Sequence, residues 1–226
     1  QADPGSQLIC GLDPTLTRER YAEAVEQDRI GDYLTRFAVS EGAALYVPAR
    51  TVHAICAGTV LAEIQQNSDL TYRIFDWGRL GDGGNPRELH TQKALEVIRF
   101  GEAYPGPTEP LAYERQGCEW RVLAACDKFA AEAAAVSGSC VRTNAGQTFH
   151  ILLGIRGRLA VRSGSAETAI DPGEALLVSG FVSEFQVEGQ GEFLDYYVPD
   201  PEKDIAGPLL AAGHARAALG RFALFA

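Results

Sequence analysis

The segment GAALYVPARTVH, residues 42–53, has the residue types and the spacing of a metal-binding turn. Gly42 and Pro48 favour tight turns between two strands, and His53 follows the second turn, where its side chain can point into a small β-barrel. A neutral imidazole is a common ligand of zinc. This spacing makes His53 the candidate metal ligand of the chain.

The same segment is similar to the second cupin signature, G-x5-P-x-G-x2-H, with one departure. Arg50 stands where the signature has glycine. Glycine adopts a positive φ without steric cost, so a larger residue at this position either strains the turn or lies outward in solvent. The sequence leaves both alternatives open for Arg50.

A second segment with this spacing, residues 173–184, lacks the metal ligand. Ser179 replaces the proline and Glu184 replaces the histidine. His150 lies upstream of this segment without a neighbouring ligand residue, and a catalytic zinc needs about three protein ligands. We therefore expect His150 to be a packed or hydrogen-bonded core residue, in a second cupin unit that holds no metal.

The elements that position these residues are mostly short strands. In the first hundred residues, Thr17 can cap a helix, and the pattern favours a helical turn at 33–37 and a helix over 88–98. The predicted strands lie at 6–12, 44–47, 60–64 and 72–75. After the proline-rich stretch GEAYPGPTEP, alternating segments recur every 8–12 residues, which is typical of an antiparallel sandwich or barrel. These predicted strands lie at 120–125, 129–136, 149–155, 158–161, 175–178, 181–187 and 193–198.

The predicted fold is mainly β, with two cupin (jelly-roll) units, a small helical insertion and an incomplete first unit. The predicted boundaries are residues 1–100 for the end of a catalytic cupin with its insertion, 101–116 for a linker, 117–200 for the metal-free cupin, and 201–226 for an Ala-rich helical tail. A net charge of -10 argues against nucleic acid or an anionic membrane as partner. Five cysteines, none in C-x-x-C spacing, indicate free thiols in a reducing cytoplasm.

Three segments together are similar to the type I phosphomannose isomerases, especially the short bacterial forms: VPARTVHAI, AEIQQNSDLTYRIFDWGR and PRELHTQKAL. The resemblance extends from Asp3 to about Val198. It implies an isomerase with zinc as cofactor and a small sugar phosphate as substrate, which interconverts mannose 6-phosphate and fructose 6-phosphate. The sequence does not predict the oligomeric state.

The resemblance also implies a role for individual residues. His53 would be a zinc ligand, Arg73 the active-site arginine, and Glu63 and Asp69 carboxylates that face the site. The family's other zinc ligands, a Gln-x-His pair and a later Glu, would precede residue 1. The chain is therefore expected to be a fragment that is inactive by itself.

Aldose–ketose isomerisation gives these residues a chemical purpose. A proton moves between C1 and C2 through a cis-enediol, which requires a base and stabilisation of the enediolate oxygens. Glu63 and Asp69 are the candidate proton shuttles, and the guanidinium of Arg73 suits the enediolate or the orientation of a carboxylate. Each of these residues also has a structural alternative. Glu63 and Asp69 could instead hydrogen-bond His53 or cap a turn near Ser68, and Arg73 could form a surface or structural ion pair.

An alternative of a different class is a non-catalytic cupin module that binds a sugar or a sugar phosphate. Zinc ligands upstream of residue 1 would favour the isomerase, whereas a reading frame that opens near residue 1 would favour the binding module.

Overall fold

A computed structural model of the chain describes residues 1–68, 70–81, 83–144 and 148–225. The first of its two compact units contains residues 1–63 and 67–107, and the second contains residues 64–66 and those from Thr108 onward. The predicted fold class is confirmed, since antiparallel strands dominate and the helices are short. No helix in the described ranges is long and apolar enough to cross a membrane.

The first unit is built on a three-stranded antiparallel sheet. Its strands are β1 (Gln7–Leu12), β2 (Leu34–Ala38) and β3 (His53–Ile55), in the order β2-β1-β3. The helical turn predicted at 33–37 is wrong, because a 3-10 turn at Ile30–Tyr33 leads directly into β2. The structure forms no strand at the predicted positions 44–47, 60–64 and 72–75, all of which it describes. Near the second of these, Val60 hydrogen-bonds Gln1 and Thr59 forms an isolated bridge with Ala2.

Two helices cover the hydrophobic core of this unit. The Thr17 hydroxyl caps α1 (Arg18–Glu26) by accepting a hydrogen bond from the Arg20 N–H at 3.3 Å, as predicted. The second helix, α2 (Thr91–Val97), begins three residues later than predicted. Apolar side chains from β1, α1, α2, the 3-10 turn and residues next to these elements form one buried cluster: Leu12, Leu16, Tyr21, Ala24, Ile30, Ala94, Leu95 and Ile98.

The second unit is an eight-stranded antiparallel sheet arranged around its last strand. The strands are β4 (Leu111–Arg115), β5 (Cys118–Ala125), β6 (Ala130–Thr143), β7 (His150–Arg156), β8 (Leu159–Ser163), β9 (Ala166–Ile170), β10 (Ala175–Val178) and β11 (Glu184–Tyr197). On one side β11 pairs with β6 along its whole length. On the other side its first part pairs with β8 and its last part with β7. β4 falls inside the stretch 101–116 predicted as a linker. The predicted division of the chain at residues 100, 116 and 200 stays a prediction.

Glycines allow β11 to change partners without ending. Gly189 has a φ of +135°, and a Cβ at Gly191 would overlap the carbonyl oxygen of Arg156 on β7. Glycine tolerates the positive φ at position 189 and leaves room for the close approach at position 191. The segments predicted at 181–187 and 193–198 are therefore one continuous strand.

The C-terminal segment packs into the core of the second unit as a series of helical turns. A π-helical turn at Pro201–Ala206 leads into α3 (Gly207–Ala211), and a 3-10 turn follows at Arg216–Arg221. The His214 ring is 2.6 Å from the carbonyl oxygen of Ala112 on the outer strand β4. The side chains of this segment that lie in the core with Trp120 and Phe193 are Ile205, Leu209, Leu219 and Phe222.

Candidate active site

His53 begins β3 and lies directly opposite Cys10 of β1. Its ring is exposed, and Nδ1 is 3.0 Å from the carbonyl oxygen of Thr51. A carbonyl only accepts hydrogen bonds, so Nδ1 carries the hydrogen and the neutral ring keeps its lone pair on Nε2. Zinc-binding histidines are typically oriented in this way, with the second nitrogen donating to a backbone carbonyl. His53 therefore has a tautomer that can bind zinc through Nε2.

Arg50, the residue that departs from the cupin signature, has a φ of +73°. The turn thus keeps the left-handed conformation that glycine favours, and Arg50 adopts it at a steric cost. Its side chain is exposed, and Nε donates a 2.6 Å hydrogen bond to the carbonyl oxygen of Val97, the last residue of α2. Both alternatives left open by the sequence are partly correct, because the backbone is strained and the side chain lies outward.

Arg73 is held by the segment that precedes α2. Its backbone N–H donates to Nδ1 of His90 at 3.1 Å, and its carbonyl oxygen accepts from the His90 N–H at 2.7 Å. Its Nη1 donates to the carbonyl oxygen of Glu88 at 3.3 Å. Arg73 is half-buried, and no ion pair joins it to an acidic side chain of the described residues.

Among the described residues of the first unit, Asp76 is the best-buried charged residue, at 7% exposure. Arg87 binds its carboxylate through Nε and Nη2, and Arg79 does so at 3.1 and 2.8 Å. Hydrogen bonds from Arg87, and next those from Arg79, lower the pKa of Asp76 from 3.8 to about 2 in spite of its burial. Asp76 thus stays ionised and holds together two parts of the chain eleven residues apart.

Sequence reasoning missed Asp76, Arg79, Arg87 and His90 as members of this region. His90 occupies the N-cap position of α2, but its side chain makes no capping bond there and accepts from Arg73 instead. The signal in the sequence is the PRELH segment, which carries Arg87 and His90 at the start of the predicted helix.

The two candidate carboxylates remain predictions. Glu63 is exposed in an irregular segment, and Asp69 lies outside the described residues. In the ranges that the structure covers, no hydrogen bond joins His53, Glu63 and Arg73 to one another. No group of three or more His, Cys, Asp or Glu side chains within these ranges could hold a metal ion.

The second unit has a polar cluster in its interior, where His150 lies. Nδ1 of His150 is 2.8 Å from Oδ1 of Asp195, and the ring stacks on Tyr197 at 5.0 Å. Arg142 bridges Glu132 at 3.1 Å and Asp195 at 3.4 Å. Burial, and next the charge of Glu132, raise the pKa of Tyr197 well above its ordinary value. His150 is thus a buried, hydrogen-bonded core residue, as expected.

Comparison with known proteins identifies relatives along most of the chain. Residues 120–198 match the family model described as mannose-6-phosphate isomerase, cupin domain. The mannose-6-phosphate isomerase of Streptococcus mutans is 30% identical over 194 residues, which cover 85% of this chain and 60% of that protein. Mannose-6-phosphate isomerase ManA of Bacillus subtilis is 32% identical over 190 residues, covering 83% and 58%. The chain thus spans about three-fifths of these relatives.

Solved structures agree on the fold. The crystal structure of mannose 6-phosphate isomerase from Bacillus subtilis superposes with a TM-score of 0.79 at 23% identity, over 87% of this chain and 62% of that one. The enzyme from Salmonella typhimurium bound to fructose 6-phosphate and zinc has a TM-score of 0.63 at 14% identity, over 86% and 64%. At these identities the likeness shows a shared architecture.

Proposed function

We propose that this chain, a relative of the bacterial mannose-6-phosphate isomerases, is part of an enzyme that interconverts mannose 6-phosphate and fructose 6-phosphate. The observation that carries the proposal is identity of 30–32% to two proteins of that name over more than four-fifths of the chain. The substrate is a small sugar phosphate, and the enzyme works in the cytoplasm.

We further propose that zinc is the cofactor and that His53 is one of its ligands. The hydrogen bond from Nδ1 to Thr51 supports this role, because it leaves Nε2 free to bind metal. Bound zinc would polarise the sugar carbonyl and hold the enediolate oxygens. The remaining ligands come from residues outside the 226 of this sequence, which span only 58–60% of the relatives.

Arg73 supplies fixed positive charge beside the reacting carbons in this proposal. A guanidinium remains protonated at all working pH values and can donate two parallel hydrogen bonds to enediolate oxygens. One of its nitrogens, Nη1, donates to the Glu88 carbonyl at 3.3 Å, which favours one direction of the side chain. Glu63 or Asp69 moves the proton between C1 and C2.

The test compares the 226-residue chain with a protein extended upstream in the same reading frame. We expect the extended protein to contain zinc by metal analysis and to isomerise mannose 6-phosphate in a coupled assay. The 226-residue chain by itself should retain little zinc and show no turnover. Turnover by the short chain at the rate of the extended protein would refute the fragment proposal. Binding of fructose 6-phosphate by the extended protein without turnover would instead identify a non-catalytic sugar-phosphate module.

A further inference from the structure

The segment 87–90 contacts Arg73 in a way that the proposed chemistry does not require. Three hydrogen bonds join them. The Arg73 N–H donates to the His90 ring, the His90 N–H donates to the Arg73 carbonyl oxygen, and the Arg73 guanidinium donates to the carbonyl oxygen of Glu88. Both the backbone and the side chain of Arg73 are therefore fixed by one short stretch. We refer to residues 87–90 as the strap.

The strap is itself held at a second point, by Asp76. Arg87, its first residue, forms two hydrogen bonds with the buried carboxylate of Asp76. Beyond this point, Leu80 bridges Pro86, and the Gly81 N–H donates to the carbonyl oxygen of Asn85 at 2.8 Å. The strap thus cannot shift along residues 73–76 without breaking the bonds at His90 and at Arg87 together.

His90 contributes the bond that depends most on its residue type. Its Nδ1 accepts from the Arg73 N–H, so this nitrogen must be unprotonated and the hydrogen of the neutral ring lies on Nε2. The ring is only 23% exposed and tilts against Tyr72 at a centroid distance of 6.0 Å. Because the N-cap position of α2 calls for a side-chain oxygen that His90 does not supply, the helix start does not explain this histidine.

We propose that His90 is a positioning residue for Arg73: its Nδ1 fixes the Arg73 backbone from which the guanidinium extends, and the Glu88 carbonyl holds the guanidinium itself. The proposal rests on the proposed function, since it assumes that Arg73 contacts the enediolate. It adds that the strap determines turnover without touching the substrate. A small displacement of a group that acts only in the transition state lowers kcat more than it changes KM.

Three substitutions separate the role of Nδ1 from the bulk of the ring. Asparagine places an acceptor oxygen close to the position of Nδ1, glutamine places one close to Nε2, and alanine places none. We expect His90→Asn of the upstream-extended enzyme to keep kcat within about threefold. His90→Gln and His90→Ala should lower kcat by about tenfold to a hundredfold with little change in KM. Equal kcat values for the asparagine and glutamine variants would overturn the proposal.

A second readout does not depend on activity. An N–H···N hydrogen bond transmits a scalar coupling between its two nitrogens, and the 226-residue chain labelled with ¹⁵N should show one between the Arg73 amide and His90 Nδ1. This coupling should be absent in His90→Gln, while His90→Asn should protect the Arg73 amide from hydrogen exchange and His90→Ala should not. Absence of the coupling in the unaltered chain would refute the positioning role. If the coupling is present but the upstream-extended protein shows no turnover, the isomerase proposal is refuted while the contact between His90 and Arg73 stands.

Discussion

The guanidinium Nη2 of Arg142 lies 3.1 Å from Oε2 of Glu132 in the interior of the second unit, and neither side chain is more than 3% exposed. Two tyrosine hydroxyls also donate to Glu132, from Tyr113 at 2.7 Å and from Tyr197 at 2.8 Å. Asp195 shares the guanidinium from the other side. A buried charge is tolerated only when its partners replace the lost water, and these contacts supply most of them. Nη1 of Arg142 has no hydrogen-bond partner among the described residues, and the guanidinium lies over the Trp120 and Tyr197 rings at 4.9 and 4.5 Å instead.

Replacing Arg142 with methionine should destabilise the second unit strongly. The change leaves two buried carboxylates without their cation, and breaking such a pair costs about 3–5 kcal/mol. Urea unfolding followed by the fluorescence of Trp120, which lies in the same core, measures the loss in a Trp77→Phe background. Arg216→Met is the matched control, because the ion pair of Arg216 with Glu202 is 63% exposed on both sides. It should change stability by less than about 1 kcal/mol, and an equal loss in both variants would contradict the argument.

The second unit followed its sequence pattern closely because its strands pair along long ladders. Alternation of period two marked five of the eight strands near their observed positions, including β10 over the same residues. The pattern predicts two segments where the structure has the single strand β11, because Gly189 and Gly191 interrupt the alternation but allow the strand to continue past Arg156. β4 and β9 were missed, and β4 is held by contacts such as His214 on Ala112, 102 residues away.

The first unit was less predictable because its pairing is isolated and non-local. Thr17 marked the start of α1 through a local side-chain contact. Residues 60 and 73, by contrast, pair singly with Gln1 and His90, so their neighbours form no ladder that a periodic pattern would reveal. His53 and Arg73 are predicted as site residues from motif spacing and resemblance, whereas the contacts of Asp76 and His90 are seen only in the three-dimensional structure.

The stability of the first unit should fall between about pH 4 and pH 2 through the protonation of Asp76. The folded pKa is about 2 and the ordinary value is 3.8, so the ionised form is favoured by folding. The stabilisation is complete above pH 4 and is lost as the pH falls through the folded pKa. Urea midpoints from Trp77 fluorescence at pH 5, 3 and 2 measure this loss, in a Trp120→Phe background.

Substitutions of Asp76, Arg79 and Arg87 test whether Asp76 causes this loss of stability at low pH. Asp76→Asn should remove this part of the pH dependence, since an amide does not titrate in the range. Arg87→Met should weaken it more than Arg79→Met, because the hydrogen bonds from Arg87 make the largest contribution to the low pKa of Asp76. An unchanged pH profile in Asp76→Asn would show that other carboxylates cause the loss.

Arg50→Gly should leave stability nearly unchanged, whereas Arg50→Ala should lower it. Both variants lose the hydrogen bond to the carbonyl oxygen of Val97, worth about 0.5–1.5 kcal/mol. Only glycine also relieves the strain at a φ of +73°, which costs an ordinary residue about 1–2 kcal/mol. Urea unfolding of the 226-residue chain measures the difference, and a larger loss in Arg50→Gly than in Arg50→Ala would show that the turn is not strained.

His53 and Arg73 should separate metal binding from turnover in the upstream-extended protein. His53→Ala removes an imidazole ligand and should deplete zinc by metal analysis. Arg73→Ala should keep the zinc and lower kcat by about a hundredfold to a thousandfold, because it removes one donor to the enediolate. Arg29→Ala, which loses an exposed pair with Asp32 and an exposed hydrogen bond to Gln27, serves as the control. Full zinc content in His53→Ala would exclude this histidine as a ligand.

Cys56 should be the only one of the five cysteines to react quickly with iodoacetamide at pH 8. It is half-buried, whereas Cys10, Cys118, Cys126 and Cys140 are buried. Burial also raises the pKa of Cys10 to about 11 and that of Cys140 still further, so both hold almost no thiolate at this pH. Mass spectrometry of the digested chain should locate a single early label on Cys56. Cys56→Ser should abolish this label, and unfolding in urea should allow the other four cysteines to react. Early labelling of Cys10 would instead indicate that β1 separates from β3, the strand that carries His53.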